Sequence, residues 1–160
     1  AIVKRLTNDI SLNPNVRFVS SEEMRDITNG EDHIAFYDST NDVILINKDK
    51  SVIYNQKLFS EIFTHELIHA ASYKRLQKML QLEKKGLLSE ADQKALDELR
   101  MAFEEAKNKV GDAYAFENLH EFIAETLSNS EFQKALKRES LFSKVVNFIK
   151  RMFGVKPKSI

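Results

Sequence analysis

Two histidines four residues apart, with a glutamate directly after the first, stand in the stretch EIFTHELIHAAS at residues 61–72. On a helix, positions i and i+4 lie on one face about one turn apart, so His65 and His69 can direct two imidazoles at a common ion. Glu66 is rotated by about 100° from His65, which keeps it out of the coordination sphere but beside it. That is the place of a general base. A metal-bound water, its pKa lowered toward about 7, could pass its proton to Glu66 and attack a polarised carbonyl. The pattern has three fixed positions and arises by chance in about one in a few hundred chains of this size, so its context must carry weight.

That context is helical on independent grounds. Phe59, Phe63, Leu67 and Ala70, flanked by Ile62 and Ala71, form an apolar stripe at helical spacing. The helix starts near Gln56 and continues through Leu76, Leu80 and Leu82 to Lys84-Lys85-Gly86, where a glycine after lysines resembles a C-terminus. Ser89-Glu90-Ala91-Asp92 caps a further charged helix to about Lys109, before Gly111. The two are expected to form a polar helical hairpin with a solvated charged face.

A catalytic zinc site needs three protein ligands and an open position. Candidates for the third lie in AYAFENLHEFIAETLSN at residues 113–129, read as helical from Glu117 to Leu127. Glu117, Glu121 and Glu125, at i, i+4 and i+8, form a carboxylate stripe that a solvated face would equally explain. His120 competes as a ligand, and Glu104 and Glu105 are remoter sources. His33 falls in an expected strand, where a structural or exposed role is the simpler reading.

The remaining elements follow from period and punctuation. Ile2, Val3, Leu6 and Ile10 have helical spacing up to the break at Asn13-Pro14-Asn15. Val16, Phe18 and Val19 suggest a strand, and Ser20 or Ser21 caps a short helix through Met24 and Ile27 before the Asn29-Gly30 turn. His33–Tyr37 and Val43–Ile46, separated by turn formers at residues 38–42, read as a hairpin. Apolar residues from Phe132 to Phe153 continue helical periodicity toward Gly154 and Pro157. The fold class is α+β, a small N-terminal sheet with a predominantly helical remainder, expected as one domain over residues 1–160.

Composition narrows the function classes. Cysteine is absent, which removes disulfides, thiolate catalysis and thiolate-held metal and leaves histidine and carboxylate as ligands. The formal net charge is zero, so the overall balance predicts no nucleic-acid partner. No stretch has the length and apolarity of a membrane span, and the chain reads as soluble. The C-terminal segment carries Lys134, Lys137, Arg138, Lys144, Lys150, Arg151, Lys156 and Lys158 beside an apolar face of Phe142, Val145, Ile149 and Phe153. Such a helix can contact an anionic membrane or a partner groove weakly, although packing on the core is the commoner use.

HELIHA followed by a helix reading EFIAE resembles the zincin metallopeptidases with two His and one Glu ligand, the gluzincins, and most closely the anthrax lethal factor-like catalytic domain. The resemblance implies that Glu121 is the third zinc ligand with His65 and His69, and that Glu125 orients a ligating histidine. Tyr114, seven residues before Glu121, then donates to the developing oxyanion, and YDSTNDVILIN occupies the family's edge strand and hairpin. It covers residues 33–130, and the helical hairpin between the halves of the site departs from it in length and sequence. Zinc is the implied cofactor and a protein or peptide the implied substrate, although two histidines and a carboxylate also suit iron or manganese. LHEFIAETLSNSEFQKAL with LFSKVVNFIKRMFG is also similar to zincin-like domains embedded in polyvalent proteins of bacteriophages and mobile elements. That implies excision from a longer chain, other domains of a parent polypeptide as partners, and a place in a virion or in an infected host cell. The rivals are a non-catalytic zincin-fold binding or assembly domain and a metal-free interaction domain.

Overall fold

The computed structural model describes residues 15–154. The helix expected over Ile2–Ile10 and the approach to Pro157 lie outside them. Three strands, β1 (Asn15–Val19), β2 (Ala35–Asp38) and β3 (Val43–Asn47), form one sheet in the order β1-β3-β2. β3 is central, parallel to β1 (Val16 beside Ile44) and antiparallel to β2 (Tyr37 beside Ile44). Its alternation is legible in the burial of both faces: Leu45 packs with Val19 and Met24, whereas Ile44 and Ile46 pack with Tyr37 and Ala70. The β2–β3 connection is tied by Asp38, whose carboxylate accepts from the Thr40 and Asn41 amides, and by the Tyr37 hydroxyl donating to Asp42 at 2.6 Å. Asp42 sits at φ 54°, a left-handed position that aspartate tolerates.

Helix α1 (Ser21–Ile27) covers the Leu45 face, with Ser20 accepting from the Glu23 amide and Glu22 and Glu23 at the positive end. The other face rests on α2 (Gln56–Lys84), capped by Asn55 and about 44 Å long at the standard rise. It ends in a Schellman motif: Gly86, at φ 68°, donates to the Glu83 carbonyl and Leu87 to that of Leu82. Helix α3 (Glu90–Val110) returns alongside, and Arg100 grips Glu83 with two hydrogen bonds of 2.6 and 2.7 Å. The expected hairpin forms, but it is not polar throughout. Leu96, Leu99, Ala102 and Ala106 bury a full face of α3 in the main core, a stripe made inconspicuous by its alanines.

A 3-10 turn (Tyr114–Phe116) leads into α4 (Leu119–Ser128), followed by α5 (Ser130–Arg138) and α6 (Phe142–Met152). Helix α4 is the hub. Fully buried Phe122 meets Phe103, Phe116 and Phe132 with ring centroids 5.3–6.2 Å apart, within the range of favourable aromatic pairs. Two expectations are corrected here. Helix α4 starts at Leu119 rather than Glu117, because Asn118 caps it. The periodicity from Phe132 to Phe153 spans two helices, broken where Ser140 adopts φ 58°; it persists because both insert residues into the same core. The apolar face of α6, Val145, Ile149 and Met152, is buried in that core, while Lys144 and Arg151 pair with Glu105 and Glu98 of α3. No helix among the described residues is long and apolar enough to cross a membrane.

Candidate metal centre

One turn of α2 sets His65 and His69 side by side, their rings edge to face at 4.7 Å and their Nε2 atoms 3.0 Å apart. A third donor arrives from the first turn of α4. Asn118 caps that turn by accepting the Glu121 amide at 2.9 Å, which fixes where the Glu121 side chain leaves the backbone. Its carboxylate spans both rings, with Oε2 3.1 Å from His65 Nε2 and Oε1 2.8 Å from His69 Nε2. These three residues form a group whose donor atoms all lie within 4.8 Å of one another, a set compatible with a metal ion.

The donor chemistry fits a cation. With Glu121 ionised, no distribution of ring protons makes all three contacts attractive. Two protonated Nε2 atoms oppose each other across 3.0 Å, and a bare one meets a carboxylate lone pair. A single cation satisfies all three. Ligand atoms about 2.0–2.1 Å from a tetrahedral ion stand about 3.3 Å apart, so the set needs to open by only a few tenths of an ångström.

Electrostatics agrees with this geometry. Burial alone would raise the Glu121 carboxyl, but the hydrogen bonds and charges of His65 and His69 outweigh it and hold the group at about 2. Burial opposes the His65 imidazolium, yet the Glu121 hydrogen bond and the neighbouring carboxylates of Glu66, Glu121 and Glu125 leave its pKa raised. Glu66 stands outside the triad. Its Oε2 accepts the Tyr37 amide of edge strand β2 at 2.8 Å, and burial pushes its carboxyl up, the direction a general base at neutral pH requires.

Tyr114 projects from the 3-10 turn with its ring 6.3 Å from that of His65, and it is half-exposed. Desolvation and then the carboxylates of Glu121 and Glu117 raise its phenol, which stays protonated as a donor. Glu125 lies one turn beyond Glu121 and lines a cavity with His65, but makes no hydrogen bond to a histidine among the described residues. Ser128 Oγ, which donates to the Ala124 carbonyl at 2.6 Å, lies 3.5 Å from His65 Nδ1.

Other candidates stand elsewhere. Glu117 is exposed at the end of the 3-10 turn, so the carboxylate stripe is not continuous. His120 turns away from the triad, stacks on Tyr73 at 4.5 Å and contacts Gln77 at 3.3 Å; burial and the charge of His69 lower it to about 4. Glu105 is held by Lys144 and Lys109. His33 precedes β2 instead of lying in it, with Nε2 2.7 Å from Glu31.

The centre opens into a cleft of two lobes that share Glu66 and Tyr114. A lobe of about 370 Å³ lies on the His69 side and one of about 260 Å³ on the His65 side. Tyr73 and Gln77 in the larger lobe went unrecognised in the sequence. A signal was there: His65, His69, Tyr73 and Gln77 recur every four residues along one line of α2. No protein family, curated protein sequence or solved structure matches the chain.

Proposed function

We propose that the chain is a metal-dependent hydrolase of the zincin type, a zinc metallopeptidase, with His65, His69 and Glu121 as ligands and Glu66 as general base. The observation that carries the reading is the convergence of those three donors on a cleft that Glu66 and Tyr114 also line. A metal ion held there would polarise a substrate carbonyl and acidify a water. Glu66, its pKa raised by burial and its orientation fixed by the Tyr37 amide, accepts the proton of the attacking water and returns it to the leaving amine. Tyr114 keeps its proton and donates to the oxygen on which negative charge develops. Asn118 holds the first turn of α4, and with it Glu121, in place.

Further support comes from the juxtaposition of edge strand β2 with the helix carrying HELIH, and from the spacing of Tyr114, Glu121 and Glu125 in the lethal factor-like pattern. The test is Glu66→Gln. The amide oxygen can still accept the Tyr37 amide, so the fold and metal content persist while peptide hydrolysis falls about a hundred- to ten-thousand-fold. A Glu66→Gln protein that hydrolyses peptides at the wild-type rate removes the assigned base.

A further inference from the structure

The larger lobe has a wall whose chemistry the hydrolytic reading does not use. Its volume of about 370 Å³ is near the lower end for ligand pockets and ample for one large side chain. Two aromatic pairs are built into the wall: His33 on Phe36, centroids 5.1 Å apart at 30°, and Tyr73 on His120, 4.5 Å apart at 20°. They come from three separate parts of the fold, the entry to β2, helix α2 and helix α4. Each leaves ring surface available to a further aromatic group, which gains from offset or edge-on contact beyond simple burial.

Most charges of this wall already face a partner of opposite sign. Glu121 faces two histidines, Glu66 accepts the Tyr37 amide, and His33 contacts Glu31. A carboxylate side chain entering here would meet the like charge of Glu66 and Glu121, and a lysine or arginine would lose its water for one carboxylate, Glu66, on which a backbone amide already sits. The smaller lobe is the more acidic, because Glu61 and Glu125 line it beside Glu66. Among the residues that line the larger lobe, Gln77 and Asn118 carry amides that can satisfy a hydroxyl, so a phenol is accommodated as well as a phenyl.

We propose that the larger lobe is a side-chain subsite for an aromatic residue of the substrate, with Phe36, Tyr73 and His120 selecting it. Naming its occupant as a substrate residue rests on the hydrolytic reading; the preference for an aromatic ring does not. The test therefore uses the metal-free full chain, titrated with the N-acetyl amides of phenylalanine, tyrosine, lysine and glutamate and followed by NMR at the rings of His120 and Tyr73.

The phenylalanine and tyrosine amides should bind in the millimolar range and at least tenfold more tightly than the other two. His120→Ala should weaken them several-fold, and His120→Phe, which keeps a ring at the stack, should restore them even if the alanine variant is poorly folded. Equal responses to all four amides, no response, a lysine preference, or shifts that map away from His120 and Tyr73 each overturn the subsite. The two readings fail separately. Aromatic binding without hydrolysis of any peptide by the zinc-loaded protein removes the peptidase and leaves an aromatic-binding cleft. Hydrolysis indifferent to aromatic residues removes the subsite and leaves the peptidase.

Discussion

Asn118 links the stability of a helix to the assembly of the proposed metal centre, and its replacement tests that link. Its side-chain oxygen accepts the Glu121 amide at 2.9 Å, so a single hydrogen bond both starts α4 and anchors the backbone of a ligand. In Asn118→Ala the cap is lost, at a cost of about 1 kcal/mol, or about 2–4 °C in Tm for a chain of this length. The first turn then frays where Glu121 must bridge two rings. Removing such an outer support typically costs about 10- to 100-fold in metal affinity. Asn118→Ser restores a capping oxygen and should recover most of both losses. Competition with a chromophoric zinc chelator, alongside thermal melts of the metal-free protein, reads the two quantities separately. An alanine variant that melts early yet binds zinc as tightly as the wild type would refute the link, as would a serine variant as weak as the alanine one.

Other outcomes follow from the same geometry. Protons compete with metal at His65, whose pKa is raised, while Glu121 at about 2 stays ionised throughout; apparent affinity should fall on acidification, by about tenfold per pH unit for each proton the metal displaces. Chelator competition from about pH 5 to about pH 8 measures this, and an affinity that rises on acidification contradicts it. The Glu83 carboxyl, held at about 2 by hydrogen bonds from Arg100 and then Gln93, stabilises the fold above its ordinary value and loses that contribution as pH falls through the native one. Arg100→Ala should therefore cost about 1 kcal/mol at neutral pH, discounted for exposure, and flatten the acid limb of the stability curve. Urea melts at neutral and acidic pH give the comparison, and equal losses at both would count against the pairing.

The elements most legible in the sequence are those with strong periodicity or strong punctuation. The stripe from Phe59 to Ala71 marks α2, the cluster at residues 38–42 marks the β2–β3 connection, and Lys84-Lys85-Gly86 marks the end of α2. Local capping was harder to read. Glu117 continues the helical spacing of Glu121 and Glu125, but Asn118 makes the stronger N-terminus, and that competition moved a carboxylate out of the helix. Helix α3 was legible but its buried face was not, since Ala102 and Ala106 bury as fully as leucines without marking an apolar face by size. The break at Ser140 was invisible because α5 and α6 serve one core and keep the pattern in phase across it.

Within the site, spacing along α2 presents His65, Glu66 and His69, whereas the choice among Glu117, His120, Glu121 and Glu125 depends on how α4 crosses α2. No single-helix pattern encodes that. His120 follows the same logic: one residue before Glu121, it is rotated by about 100° onto Tyr73 and into the wall of the larger lobe.

The central claim, that the three side chains form a metal site, is tested most directly by the metal content of the purified chain, wild type beside Glu121→Ala, by elemental mass spectrometry without added metal. About one zinc per wild-type chain and far less in the variant is the expected result. No metal in the wild type after zinc is offered and the excess washed away, or equal zinc in both proteins, would contradict it.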